Sequence, residues 1–241
     1  MQVTIDLHTH TLVSHHAYST LWENCTVAKR NGVSLLAMTD HGYGAPDSGN
    51  DWHFGCMGVI PDMVEGVRVL KGAEANIMDS TGRLDLDLSD QRFLDFMLAS
   101  LHDYVLKPST KSEHTHALEQ ALCNPWVDAI AHPAQVDFPF DEAYIVKLAA
   151  QQDKCLELNP HAMLASPMVA QINLRLLHLA KRYQTMICLG SDAHFCNAVG
   201  NFDSVYPLLE EAAFPHELIL NMDESLVLKR VSARKQRAQG K

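Results

Sequence analysis

The sequence predicts a single α/β domain, residues 1–241, built on a parallel barrel of the TIM-barrel-like kind. Three observations point there. Short apolar runs with strand character alternate with helix-like segments along most of the chain, the pattern of βα units whose strands run parallel. The 241 residues fit one such barrel without division. Histidine, aspartate or glutamate recurs where strand after strand ends, which is where barrel folds build their sites.

In chain order, Val3 to Leu7 is the first strand. Strand side chains alternate faces, so His8 and His10 just beyond it point the same way. Ser19 can cap a helix with apolar positions at Leu21, Trp22, Val27 and Ala28, closed by Asn31-Gly32. Ser34 to Thr39 is a nearly continuous apolar strand, suited to burial on both faces, and it ends in Asp40-His41-Gly42. The segment from Tyr43 to Phe54 is longer than a simple connector and reads as a lid or binding loop. Val67 to Ile77 is the third strand and carries Glu74, and Asp79 to Asp87 reads as a small hairpin excursion.

Phe96 to Leu101 is the fourth strand, ending at His102, and a helix from Ser112 to about Cys123 has Glu113 in its first turn. Asp128 to Ala131 is the fifth strand, ending at His132-Pro133. After a helix from Glu142 to Gln152 comes the sixth strand, Cys155 to Leu158, ending in Asn159-Pro160-His161. Met168 to Tyr183 is a long amphipathic helix. Met186 to Leu189 is the seventh strand, followed by Asp192 and His194. Helices over about Phe202 to Ala213 and Glu224 to Gln236 finish the chain. The tail over 229–241 holds six of the 19 basic residues and reads as a solvated, fraying helix end.

Composition narrows the function. A formal charge of −10 argues against nucleic acid as a general partner and is compatible with a site lined by carboxylates and imidazoles. Fourteen histidines are the outlier, and they are dispersed rather than gathered in a terminal tag. The six cysteines show no CxxC spacing, and Cys155 and Cys188 sit in strand-like runs as core residues. With no signal peptide and no stretch of about 20 apolar residues to span a membrane, the expected location is cytoplasmic.

The strand ends supply His8, His10, His41, Glu74, His102, His132, Asp192 and His194, and His16 in the first βα loop can reach the same cavity. One zinc takes three or four protein ligands, so nine suit two or three ions. Glu74 is central in strand order and is the natural bridge. Imidazole-rich donors favour zinc, iron or manganese over magnesium or calcium. Asp6 and Asp40 are candidates for orienting imidazoles through their second nitrogen. Asn159 and His161 are candidate substrate contacts, and His53 a candidate at the pocket rim. His114, His116, His178 and His216 fall on helices as surface or structural residues.

Asp6-Leu7-His8-Thr9-His10, Thr39-Asp40-His41-Gly42, Gly72-Ala73-Glu74-Ala75-Asn76, Ala131-His132-Pro133 and Gly190-Ser191-Asp192-Ala193-His194 resemble the motifs of the PHP (polymerase and histidinol phosphatase) superfamily. His16-Ala17-Tyr18-Ser19-Thr20 and Trp52-His53-Phe54 are similar to its YcdX-type phosphatases. The resemblance covers nearly the whole chain, in order. It implies a distorted (βα)7 barrel with a trinuclear, usually zinc, site. Carried over by motif, His8, His10, Glu74 and Asp192 would hold one ion. Glu74, His102 and His132 would hold a second, and His16, His41 and His194 a third.

The chemistry so implied is hydrolysis of a small phosphate monoester by metal-activated water held by these ligands. A nucleotide or nucleic-acid phosphodiesterase of the same fold is the alternative. A non-catalytic metal-binding or regulatory protein ranks below it, because degenerate PHP domains lose ligands and all nine positions are filled here. Amidohydrolases also begin with His-X-His on a barrel strand, but no lysine stands at a middle strand end here. A small phosphorylated substrate is the expected partner, and a homo-oligomer is compatible with the sequence.

Overall fold

The computed structural model describes residues 3–240. Its elements are β1 (Ile5–Thr9), α1 (Leu21–Arg30), β2 (Leu35–Met38), β3 (Met63–Val64), β4 (Val67–Asn76), α2 (Leu88–Phe93), β5 (Phe96–Ser100), α3 (Lys111–Cys123), β6 (Ala129–Ile130), α4 (Glu142–Gln151), β7 (Cys155–Leu158), α5 (Pro160–Ala165), α6 (Pro167–Tyr183), β8 (Ile187–Leu189), α7 (Tyr206–Glu211) and α8 (Glu224–Ala238). The expected seven strands are all present. They pair in parallel in the order β1-β2-β4-β5-β6-β7-β8, and the two-residue β3, not foreseen, adds antiparallel to β4.

The sheet is nearly closed into a barrel. Asp192 N donates to His8 O at 2.8 Å and His10 N to Ala193 O at 3.0 Å, joining the chain beyond β8 to β1. Between the strands themselves a side chain does the joining. Buried Asn221 donates from Nδ2 to Ile5 O and Leu189 O, and its Oδ1 accepts from Leu189 N.

The core has two parts. Ile5, Leu7, Leu35, Ala37, Leu70, Phe96, Leu98, Cys155 and Cys188 form one set with Val227 and Val231 of α8. Leu36, Val69, Met97, Ile130, Leu156 and Leu189 belong to the other, which packs with residues of α1, α3, α4 and α6. That split follows the period-2 alternation of buried strands. The β1–β2 register slips between Asp6 and Thr9. This irregularity lets Leu7 pack with the first set while His8 and His10 still reach the site, the re-aiming that bulges provide.

Several boundaries differ from expectation for local reasons. Thr20, not Ser19, caps α1, in a reciprocal capping box with Glu23; Ser19 Oγ instead accepts from Cys196 N. A second box, Thr110 with Glu113, starts α3 at Lys111. The helix expected from Phe202 shrinks to Tyr206–Glu211, because Pro207 is tolerated only in a first turn. The Asp79–Asp87 excursion pairs Ile77 with Leu84 through one antiparallel bridge. Its Asp85 carboxylate accepts from Asn76 N and, at 2.7 Å, from Gly44 N, tying the loop after β2 to the end of β4.

The basic tail corrects the reading of a fraying end. α8 runs to Ala238, and Arg234 on it is buried, donating to Leu94 O, Gln91 O and Trp126 O and pairing with Asp128 at 2.7 Å. Arg230 pairs with Asp153. Among the described residues, no helix is long and apolar enough to cross a membrane.

Candidate metal centre

The residues expected at the strand ends converge on one end of the barrel. His8 Nε2 lies 3.1 Å from His10 Nε2, 3.4 Å from Glu74 Oε2 and 3.6 Å from Asp192 Oδ1. His10 Nε2 lies 3.5 Å from Glu74 Oε2 and 3.1 Å from Asp192 Oδ1. Glu74 turns its other oxygen the opposite way, with Oε1 2.7 Å from His132 Nε2 and 3.4 Å from His102 Nε2. His41 Nδ1 is 2.9 Å from Glu74 Oε2. The His194 ring stacks on His10 at 4.3 Å, and the His16 ring lies 4.3 Å from His194 and 5.3 Å from His41.

Whether these residues suit metal ions can be judged from their own geometry. Four ligands bound to one zinc at about 2.0–2.1 Å stand roughly 3.3 Å apart, and the five separations among His8, His10, Glu74 and Asp192 bracket that value. Buried polar atoms are nearly always hydrogen-bonded. Yet His41 Nδ1 and Nε2, Glu74 Oε2 and His194 Nε2 are buried without partners. Lone pairs and a carboxylate oxygen facing one space fit a cation. Among the described residues, donor groups compact enough to hold an ion include His8-His10-Glu74, His10-His41-His194, His41-Glu74-His102 and His161-Asp192-His194. His16 lies in none of them. Its side chain is half exposed and its Nδ1 contacts the Asp47 carboxylate.

Charge states favour ligation at His102, His194 and the two carboxylates, while neighbouring carboxylates outweigh burial and raise His8, His41 and His132. Burial pushes His102 down to about 3, with His132 and His41 acting in the same direction. Burial and the neighbouring His10 hold His194 down at about 4. Both rings are therefore neutral near pH 7, with lone pairs free. Burial works against ionising Glu74 and Asp192, but the surrounding imidazoles outweigh it and hold both carboxyls well below the usual range.

The nitrogens turned away from the centre are held in turn. Asn76 Oδ1 lies 2.8 Å from His102 Nδ1. Asp40 accepts from Thr11 and from Ser14 Oγ, and Ser14 Oγ lies 3.1 Å from His10 Nδ1, so Asp40 acts on an imidazole through a serine rather than directly. Asp6 does not orient a ring. It accepts the backbone N–H of His8, Ser191 and Gly200. Glu157, not foreseen, lies 2.8 Å from His8 Nδ1. Its signal was a lone charge in the buried strand Cys-Leu-Glu-Leu. Asp47, also missed, sits in the loop from Tyr43 to Phe54 and carried no distinguishing pattern.

The remaining candidates divide. His161 is exposed at the start of α5, 3.4 Å from Asp192 Oδ2, and lines a cavity of about 400 Å³ with His194 and Phe195. Asn159 is buried, caps α5 and donates to Glu157 and Asp192, a supporting place rather than a substrate-facing one. His53 lies 3.4 Å from Asp40 and lines a second cavity with His15 and Trp52. Buried His114 bonds Ser109 N and Pro139 O, a structural role; His116, His178 and His216 are exposed.

A PHP domain family model matches residues 6–213. The chain belongs to the PHP family. It is 43% identical over 221 residues to a probable phosphatase of Acetivibrio thermocellus, covering 92% of each chain. A probable phosphatase of Caldanaerobacter subterraneus is 39% identical, covering all of this chain and 95% of its own. Among solved structures, histidinol phosphate phosphatase from Lactococcus lactis, complexed with zinc, L-histidinol and phosphate, superposes with a TM-score of 0.63 at 16% identity. That match covers 89% of this chain and 95% of the other. A chain of an archaeal ribonuclease P bound to mature tRNA matches with a TM-score of 0.57 at 13% identity, over 97% and 90% of the two chains. These two likenesses concern the fold. The PHP relatives, taken with the histidine and carboxylate clusters, support a metal-dependent hydrolase acting on phosphoric ester bonds.

Proposed function

We propose that this PHP protein hydrolyses a small phosphate monoester at a site that holds up to three zinc-type ions, manganese and iron suiting the same donors. The observation that carries the reading is the cluster of His8, His10, Glu74 and Asp192, five of whose separations lie close to the edge length of a zinc tetrahedron. Glu74 would bridge to a second ion with His102 and His132. His41, His194 and His16 would hold the third, His16 through the nitrogen that Asp47 leaves free. Bound ions supply Lewis acidity toward phosphoryl oxygens and acidify water.

The chain's own residues define the rest. No lysine or arginine lines the cavity beside Asp192 and His194, which leaves bound ions and His161 to meet a phosphoryl group. That cavity, about 400 Å³ in volume, has room for a small organic group. His161 on its wall, with Nδ1 turned to Asp192, is our candidate for holding or passing a proton to the leaving group. The test is a comparison of an aryl phosphate with a bis-aryl phosphodiester after zinc or manganese loading. Faster release from the monoester is expected. Turnover of the diester alone, or of neither with ions bound, would overturn the proposal.

A further inference from the structure

Glu157 is the one charged side chain of β7, and it is almost wholly buried. A carboxylate in that setting is unfavourable unless its oxygens find donors. Both do. Oε1 lies 2.8 Å from His8 Nδ1, while Oε2 accepts the backbone N–H of His132 at 2.8 Å and the Asn159 amide at 3.1 Å. The same Asn159 nitrogen lies 3.3 Å from Asp192 Oδ2.

Two further features show that the chain is shaped around this carboxylate. A Cβ at Gly190 would fall inside contact distance of both Glu157 Oε1 and His8 Cβ, so only glycine there lets the pair meet. His132 has a φ of 27°, a conformation L residues rarely adopt, and its N–H is the one Glu157 holds.

We infer that Glu157 is a positioning residue shared by two metal positions. One oxygen accepts a hydrogen bond from the Nδ1–H of His8, which leaves Nε2 with its lone pair facing Glu74 and Asp192. The other oxygen fixes the strained turn that aims His132 at the far oxygen of Glu74. Loss of Glu157 therefore loosens both positions together, although it touches neither ion. The inference rests on the metal-dependent reading of the site.

The test uses full-length protein stripped with a chelator and titrated with Co²⁺, followed by visible absorption and by competition with a chelating dye. Glu157→Gln keeps the size but has one acceptor oxygen, so it serves His8 or the His132 N–H and turns an NH₂ toward the other. Weaker binding by about 10–100-fold at two of the positions is expected, with an altered absorption envelope and a retained fold by circular dichroism. Glu157→Ala should lose more. His16→Ala should weaken one position and leave the other two. Unchanged stoichiometry, affinity and spectrum in Glu157→Gln would overturn the inference, even if the melting temperature fell, because that is what a merely structural carboxylate would show. Wild-type protein that takes up no ion would instead overturn the metal reading, and this inference with it.

Discussion

His41 Nδ1 stands 2.9 Å from Glu74 Oε2, an ion-pair contact in which neither buried atom has an aligned hydrogen-bond partner. Leaving a polar group buried and unpaired costs about 1–3 kcal/mol. A cation between or beside them relieves both. Metal should therefore stabilise the fold. Saturation at 100 times Kd contributes about 2.7 kcal/mol, a rise in melting temperature of roughly 5–10 °C for a chain of this size. Calorimetry with zinc against chelator checks it; identical melting curves would count against any ion at this place.

His161 borders the cavity without belonging to the buried cage. His161→Ala should keep the full metal content and lose kcat by about 100-fold or more on substrates with poor leaving groups, as removal of a proton donor does. Substrates whose leaving group needs no proton should be spared. Metal loss in this variant would make His161 a ligand instead.

Arg234 inverts the expectation for a basic C-terminal helix. Removing one partner of a buried ion pair costs about 3–5 kcal/mol, and Arg234 also satisfies three backbone carbonyls. Arg234→Ala should lower stability to urea by that order. Arg237, whose neighbour Lys235 is exposed, should matter far less. Equal, small effects at both positions would restore the picture of a loose tail.

Cys25 provides a pH test remote from the metals. Burial pushes its thiol from 9.0 up to about 12. The unfolded chain releases this proton above about pH 9 while the folded chain keeps it, so the folded state binds more protons there and stability falls as pH rises. The contribution is intact below pH 9 and is lost toward pH 12. Urea unfolding across that range should show a steeper alkaline decline for the wild type than for Cys25→Ala.

Which parts of this were legible in the chain follows from how local each cause is. His8, His41, His102 and His132 could be placed because a strand's end and its alternation are written in consecutive residues. Once parallel strands share a sheet, their ends share a face. Glu157, Asp47 and Arg234 are different. Each takes its meaning from a partner 31 to 149 residues away in sequence, and nothing near Asp47 or Arg234 announces it. Ser19 and Thr20 are adjacent residues of equal capping chemistry, and only the Glu23 side chain decided between them. Asn221, which joins β8 to β1, lies outside any strand and could not be read as part of the barrel.

Glu74 turns one oxygen to His8 and His10 and the other to His102 and His132, and we propose that it lies between two ions. Anomalous diffraction at the zinc edge from crystals of zinc-loaded protein tests it most directly. Two peaks flanking the Glu74 carboxylate are predicted, with a third among His16, His41 and His194. Crystals of protein shown to bind zinc, yet with no peak within bonding distance of either Glu74 oxygen, would contradict it.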